Sequence, residues 1–144
     1  MTIAVSNHGT LLKMGDGASP EVFATVLEVR AFNAFGVSLN AVEVTNQSST
    51  AHYKEFIGGL LDAGEVSGEF NWHPSNATQS ATAGMKYVQD QRTLKNWQIV
   101  TTHTSPLTAT FAAIVTQFGP VPIDMEGAFV CPFTLKISGA YTWA

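Results

Sequence analysis

Charge is what this 144-residue chain has least of: Asp, Glu, Lys and Arg make up 12% of it, about half the usual ~25%. A freely diffusing monomer normally keeps more charge on its surface. The shortage points to a surface covered in an assembly, and a monomer coated in Ser, Thr, Asn and Gln is the plain alternative. Basic residues are scarcest, seven against eleven acidic ones for a net charge of −4, and they are scattered singly. Without a basic stripe, tight phosphate-driven binding of DNA is not expected. The one cysteine, Cys131, excludes an internal disulfide. Its setting in Phe129-Val130-Cys131-Pro132-Phe133 marks a small core residue, not a reactive thiol. No run approaches the ~18 apolar residues that a membrane-spanning helix needs, so no membrane insertion is expected. Met1 to Val5 has neither the basic start nor the long apolar run of a signal peptide, which implies a reducing cytoplasm.

Catalytic and metal-binding patterns are also missing. His8, His52, His73 and His103 share no ligand spacing, and no second cysteine joins them. Glu65 and Glu69 lie on one strand face in the manner of a carboxylate pair, but any wet strand face carries such residues. Gly15-Asp16-Gly17 and Gly58-Gly59 lack the context of a phosphate loop and are explained by turn geometry. No serine stands in a Gly-x-Ser-x-Gly frame. Neither an enzyme, a metal site nor a cofactor is expected.

What is present is alternation. Apolar content of 45% and this length suit one domain over residues 1–144. Leu11 to Met14 reads as a strand, followed through a turn-rich linker by Val22 to Phe32 and then Leu39 to Val44. Later strands run from Trp97 to Thr102, from Phe111 to Phe118, and from Phe129 to Ile137. In the last, Phe129, Cys131, Phe133, Leu135 and Ile137 make the cleanest apolar stripe, and Pro132 argues for an edge or a bulge. One helix is expected after a cap at Ser75 or Asn76, with Ala77, Ala81, Gly84, Met85 and Val88 on one face. Many short strands and one helix give a mainly β fold, an antiparallel sandwich or barrel with one flanking α-helix.

The stretch from Tyr53 to Trp72 is the most informative. Its second half alternates without a miss, with Val66, Gly68, Phe70 and Trp72 facing one way and Glu65, Ser67, Glu69 and Asn71 the other. Before it, Thr45 to Gly64 shows no sustained period yet carries Tyr53, Phe56, Ile57, Leu60 and Leu61. So long a loop is uncommon in a compact domain and usually functional. Its apolar side chains read as a surface for a partner.

The same segment carries a family resemblance. Glu55-Phe56-Ile57, Gly59-Leu60 and Asp62-Ala63-Gly64-Glu65-Val66-Ser67 resemble the tail tube (major tail) proteins of long-tailed, non-contractile bacteriophages. Further blocks agree in order: His8 to Gly17, Pro20 to Val26, Val42-Glu43-Val44-Thr45, Leu94 to Ile99, and Thr134 to Gly139. Asn46-Gln47-Ser48 departs from the family's usual pattern, and the chain lacks the immunoglobulin-like extension that some members append. The resemblance implies a tail-tube-like fold and a structural virion protein without enzymatic activity. It implies homohexameric rings stacked into a tail tube, assembled in the host bacterial cytoplasm and passing double-stranded DNA non-specifically during ejection. Tape measure, tail terminator and tail tip proteins would be the other partners. Contacts between subunits and rings would fall on Tyr53, Lys54, Glu55, Phe56, Ile57, Leu60, Leu61 and Asp62. Glu28, Glu43, Glu65 and Glu69, as wet-face strand carboxylates, are the candidates to face the lumen. Two other readings stand beside this one: a related component such as a terminator or the tube of a gene transfer agent or tailocin, and a small-ligand-binding β-barrel.

Overall fold

The computed structural model describes residues 3–144. Its strands are β1 (Leu11–Gly15), β2 (Phe23–Thr25), β3 (Val29–Asn33), β4 (Ser38–Glu43), β5 (Phe56–Asp62), β6 (Glu65–Asn71), β7 (Lys95–Val100), β8 (Thr108–Phe118) and β9 (Val130–Trp143), with one helix, α1 (Met85–Gln91), before β7. Seven strands form one antiparallel sheet in the order β2-β1-β7-β8-β9-β6-β3, and β4 and β5 pair only with each other. The expected mainly β fold with one flanking helix is therefore the observed one.

The sheet curls towards closure. Its edge strands β2 and β3 are consecutive in the chain, and the link between them bonds on both sides. The Val26 amide donates to Leu12 O at 2.9 Å, and Glu28 O accepts from the Asn71 amide at 3.0 Å. Inward positions of the strands alternate with outward ones, so one core forms on the concave face. It contains Leu12, Val66, Phe70, Trp97, Ile99, Phe111, Cys131, Phe133 and Leu135, and α1 adds Met85 and Val88 to it. The stripe expected on the last strand is thus buried from Cys131 to Ile137, while Phe129 stays exposed.

Three expectations need correction. Val22 to Phe32 is not one strand: Glu28 has φ of +48°, and the chain breaks there to pass from one sheet edge to the other. Buried Gln79 holds the break, its side-chain amide donating to Leu27 O at 2.7 Å and to Asn71 O at 3.1 Å. The helix starts at Met85 rather than near Ala77. Over residues 74–83 polar side chains bond the local backbone instead: Asn76 Oδ1 accepts from the Thr78 amide and Ser80 Oγ from the Ala83 amide, which competes with helix formation. Pro132 sits on an interior strand and not on an edge, because β9 lies between β8 and β6; the bulge is on the neighbouring β8, between Val115 and Gln117 opposite Leu135 and Thr134. The Pro132 carbonyl accepts from Gly119 at 2.8 Å, just past the end of β8, where the missing proline donor breaks no ladder bond.

The registers decide which loops share an end of the sheet. Leu11 faces Val100, Val100 faces Thr108, and Ala109 faces Trp143. The first end therefore carries residues 3–10, residues 101–107 and the end of β9. Phe118 faces Phe133 and Asn71 faces Val130. The second end therefore carries residues 72–84 and 119–129, and β1 turns there into residues 16–22.

Candidate functional site: an exposed hairpin arm

β4 and β5 form a two-stranded arm that stands off the main sheet. Val42 lies opposite Ile57, Glu43 opposite Phe56 and Leu39 opposite Leu61. Neighbouring pairs point to opposite faces, so Val42 and Ile57 make one face apolar while Phe56 contributes to the other. No side chain of either strand is buried, and Leu60 is 86% exposed. A bulge between Leu39 and Ala41 shifts the register. Gly58 and Gly59 sit across from it, where a Cβ on Gly59 would lie 3.1 Å from Val42 Cγ2 and 3.0 Å from Asn40 O. The glycine pair lets the apolar side chains of β4 lie flat across β5.

Residues 44–55 close the tip by their own hydrogen bonds. The Val44 amide donates to Glu55 O at 2.8 Å, the Glu55 amide to Thr45 Oγ1 at 2.9 Å, and Ser49 Oγ to Glu55 Oε2 at 2.7 Å. A single 3-10 turn, Thr50–His52, follows and presents Tyr53, which is 75% exposed.

The root, by contrast, is tied down. Asp62 Oδ1 accepts from the Gly64 amide at 2.8 Å and Lys136 Nζ lies 3.3 Å away. These bonds, the backbone donor first, hold the Asp62 carboxyl below its ordinary value of 3.8. Gly64 has φ of +79°, a conformation glycine adopts without cost. In the link leading into β4, the Phe35 amide donates to Tyr141 Oη at 3.1 Å, and the Phe35 ring meets Tyr141 and Trp143 at centroid distances of 5.2 and 5.1 Å. Burial raises the Tyr141 hydroxyl above its usual value. Between arm and β9 runs a groove of about 750 Å3, lined by Val37, Leu60, Leu61, Ile137, Tyr141 and Trp143 among others.

All eight residues expected at contacts, Tyr53, Lys54, Glu55, Phe56, Ile57, Leu60, Leu61 and Asp62, lie on this arm. The unbroken loop expected from Thr45 to Gly64 is corrected, since Phe56–Asp62 is a strand. Alternation fails to reveal it because both faces carry apolar residues and both are exposed. The other half of the apolar surface, Leu39, Val42 and Val44, is not among the contact residues that the sequence points to. Its signal is the recurrence of apolar residues from Val37 to Val44 opposite two glycines.

The four carboxylates do not converge. Glu28 occupies the turn before β3, so it is not a strand carboxylate, and Glu43 lies on the arm. Glu65 and Glu69 share the outward face of β6, as expected, but each has a basic neighbour. Arg30 Nη1 is 3.5 Å from Glu69 Oε1, and Glu65 faces Lys136 across β9. Around them the outward face is hydroxyl- and amide-rich: Ser67 faces Thr134, and Gln98 Nε2 donates to Thr110 Oγ1 at 3.4 Å. Among the described residues no group of three or more His, Cys, Asp or Glu side chains is placed to hold a metal ion. No helix among them is long and apolar enough to cross a membrane.

No protein-family model matches this chain, and no curated protein matches it in sequence. Solved structures do match. A chain in the virion of a native gene transfer agent particle superposes with a TM-score of 0.71 at 17% identity, over 98% of this chain and 99% of that one. A chain from the tail of an empty gene transfer agent particle, refined helically with C6 symmetry, gives 0.69 at 18% identity over 98% and 99%. A chain from the sheath/tube terminator of an extracellular contractile injection system in its extended state gives 0.73 at 11% identity over 100% and 99%. Across nearly its whole length, this chain has the fold of components of these tail-like assemblies.

Proposed function

We propose that this chain is a non-enzymatic tail tube subunit, a single domain over residues 1–144 that assembles into hexameric rings stacked around a channel. The observation that carries the reading is the arm. A two-stranded hairpin alone is marginal in water, and apolar side chains on both of its faces demand cover from outside the domain. Head-to-tail association of copies provides that cover and closes into a ring when the rotation permits. Full-length likeness to chains of a sixfold tail supports the ring number.

The tube would pass double-stranded DNA in the tail of a long-tailed, non-contractile phage, with tape measure, terminator and tip proteins as partners. Its mechanism is geometric and electrostatic. A conduit must not grip phosphate, and the scarcity of Lys and Arg removes the counterion release that makes DNA adhere. The outward face of β6, β8 and β9, with its balanced charges and hydroxyls, is the surface best suited to line such a channel. Glu65 and Glu69 belong to it, and Glu28 and Glu43 do not.

A second reading is favoured by the likeness to the injection-system terminator and to a tube-terminating cap: the chain closes a tube instead of building one. Electron microscopy of the purified protein separates the two. Extended tubes support the tube subunit, single rings that never stack support the terminator, and a stable monomer at every concentration rejects both.

A further inference from the structure

We infer that the arm of one copy docks on residues 119–129 of a second copy. This rests on the tail-subunit reading above and names the surface that receives the arm. Position comes first. The arm root lies beside Ile137, Tyr141 and Trp143 of β9, whereas residues 119–129 precede Val130 at the opposite end of the sheet. From Val130 to Ile137 the strand covers roughly 23 Å at ~3.3 Å per residue, and the arm runs alongside the far part of β9, away from that loop. An arm so placed cannot cover its own loop, so only another copy brings the two together.

Surface chemistry comes second. Ile123 is 83% exposed, the Met125 side chain is wholly exposed, and Phe129 is half-exposed. Behind them Phe129 packs edge-on against Trp72 at a centroid distance of 5.9 Å, and Trp72 does the same against Phe118 at 6.0 Å, which gives the loop a firm apolar backing. A flexible thioether such as Met125 adapts to a partner's contour. The second end also exposes Val22 and Leu94, which widens the platform for a two-faced apolar arm.

Charge comes third. Residues 119–129 hold Asp124 and Glu126 and no Lys or Arg. Asp124 Oδ1 accepts from the Glu126 amide at 3.2 Å, fixing the turn that presents both. Between Val37 and Asp62 the only Lys or Arg is Lys54, at the tip between exposed Tyr53 and Glu55; of the arm's three acids, Glu55 accepts from Ser49 Oγ, Asp62 pairs with Lys136 at the root, and Glu43 ends β4. The tip's cation, next to exposed Tyr53, thus meets the acids on either side of exposed Met125. Each copy owns one arm and one loop, so the contact repeats from copy to copy without a limit set by the pair itself.

The test mixes two variants of the full chain that each add one cysteine, Lys54→Cys and Met125→Cys, lets them assemble, and treats them with a short bis-maleimide. Cys131 is buried and stays unmodified in folded protein. The expected result is a covalent dimer of the two variants in assembled particles and none in dilute subunits, with no dimer when Thr25→Cys on the β2 edge replaces Met125→Cys. A second arm reverses charge. Asp124→Lys with Glu126→Lys should raise the concentration needed for assembly several-fold, and adding Lys54→Glu should restore much of it. Particles that form normally yet give no 54–125 dimer, or in which Lys54→Glu deepens the defect, overturn the docking inference alone. If no particles form at any concentration, the tail-subunit reading falls and takes this inference with it.

Discussion

Lys136 Nζ reaches Asp62 Oδ1 at 3.3 Å and ties the root of the exposed arm to the middle of β9. Both side chains remain substantially exposed, so the pair positions the arm more than it stabilises the fold. Lys136→Ala should leave the melting temperature nearly unchanged. It should speed amide exchange over residues 60–64 relative to residues 131–135 of the core. Unchanged exchange at the root would remove this pair from the account.

Acid should act on the same place. The folded-state value of Asp62 lies below 3.8, so its contribution is present above the unfolded value and is lost as pH falls through the lowered one. Asp16 behaves alike, its carboxyl held low first by the Ala18 amide and then by the Val22 amide. Between neutral pH and about 5 neither group changes charge. Below about 3.8, NMR should show the root and residues 16–22 loosening before the core. A core that gives way first would contradict the assignment.

Replacing Phe56 and Ile57 together by Ser should block assembly and leave the fold intact. Both side chains are exposed and contribute nothing to the core, so the unfolding free energy should move by about 1 kcal/mol or less. Phe70→Ala is the contrast: wholly buried, it should cost about 3–5 kcal/mol. Chemical denaturation and sizing, run on both variants, separate the two effects. A double-serine variant that assembles normally, or that simply unfolds, rules out the arm as the joining element.

Gln79 should prove as important as a core aromatic. It is fully buried, and its side chain serves Leu27 O, Asn71 O and the His73 amide. Gln79→Leu leaves those backbone groups unpaired, at about 1–3 kcal/mol each. A loss of about 3 kcal/mol or more in urea unfolding is expected. A loss below about 1 kcal/mol would mean that water replaces the amide.

Legibility in the sequence followed burial. β6, β7 and β9 each bury one face and wet the other, so the runs through Phe70, Trp97 and Leu135 announce themselves by alternation. The arm escapes the same test because Val42, Ile57 and Phe56 are exposed on two faces. Its apolar content, not its period, marked Tyr53 to Asp62 as a contact surface. The split at Glu28 and the late helix start escaped because both depend on Gln79 and its neighbours, polar residues whose partners lie up to about fifty positions away. The four carboxylates share wetness alone, and wetness does not distinguish the arm, a turn and the outward sheet face.

DNA should slide past this protein without sticking. With seven basic residues against eleven acidic ones, no binding of duplex DNA is expected at physiological salt. Self-repulsion among like-charged copies should ease as salt rises from low values, where the screening length shortens to about 10 Å at 0.1 M. Tube formation should strengthen accordingly, because the net charge of −4 on every copy outweighs the one Lys54 contact that the same salt weakens. Salt-sensitive DNA affinity in a polarisation assay would overturn the slippery-conduit account even if tubes form.

Electron microscopy of the purified chain over a wide concentration range tests the central claim most directly. The account predicts sixfold rings that stack into hollow tubes as concentration rises, and tubes that vanish in the Phe56→Ser, Ile57→Ser variant. A species that stays monomeric throughout, and builds nothing even when tail initiator proteins are supplied, would contradict it.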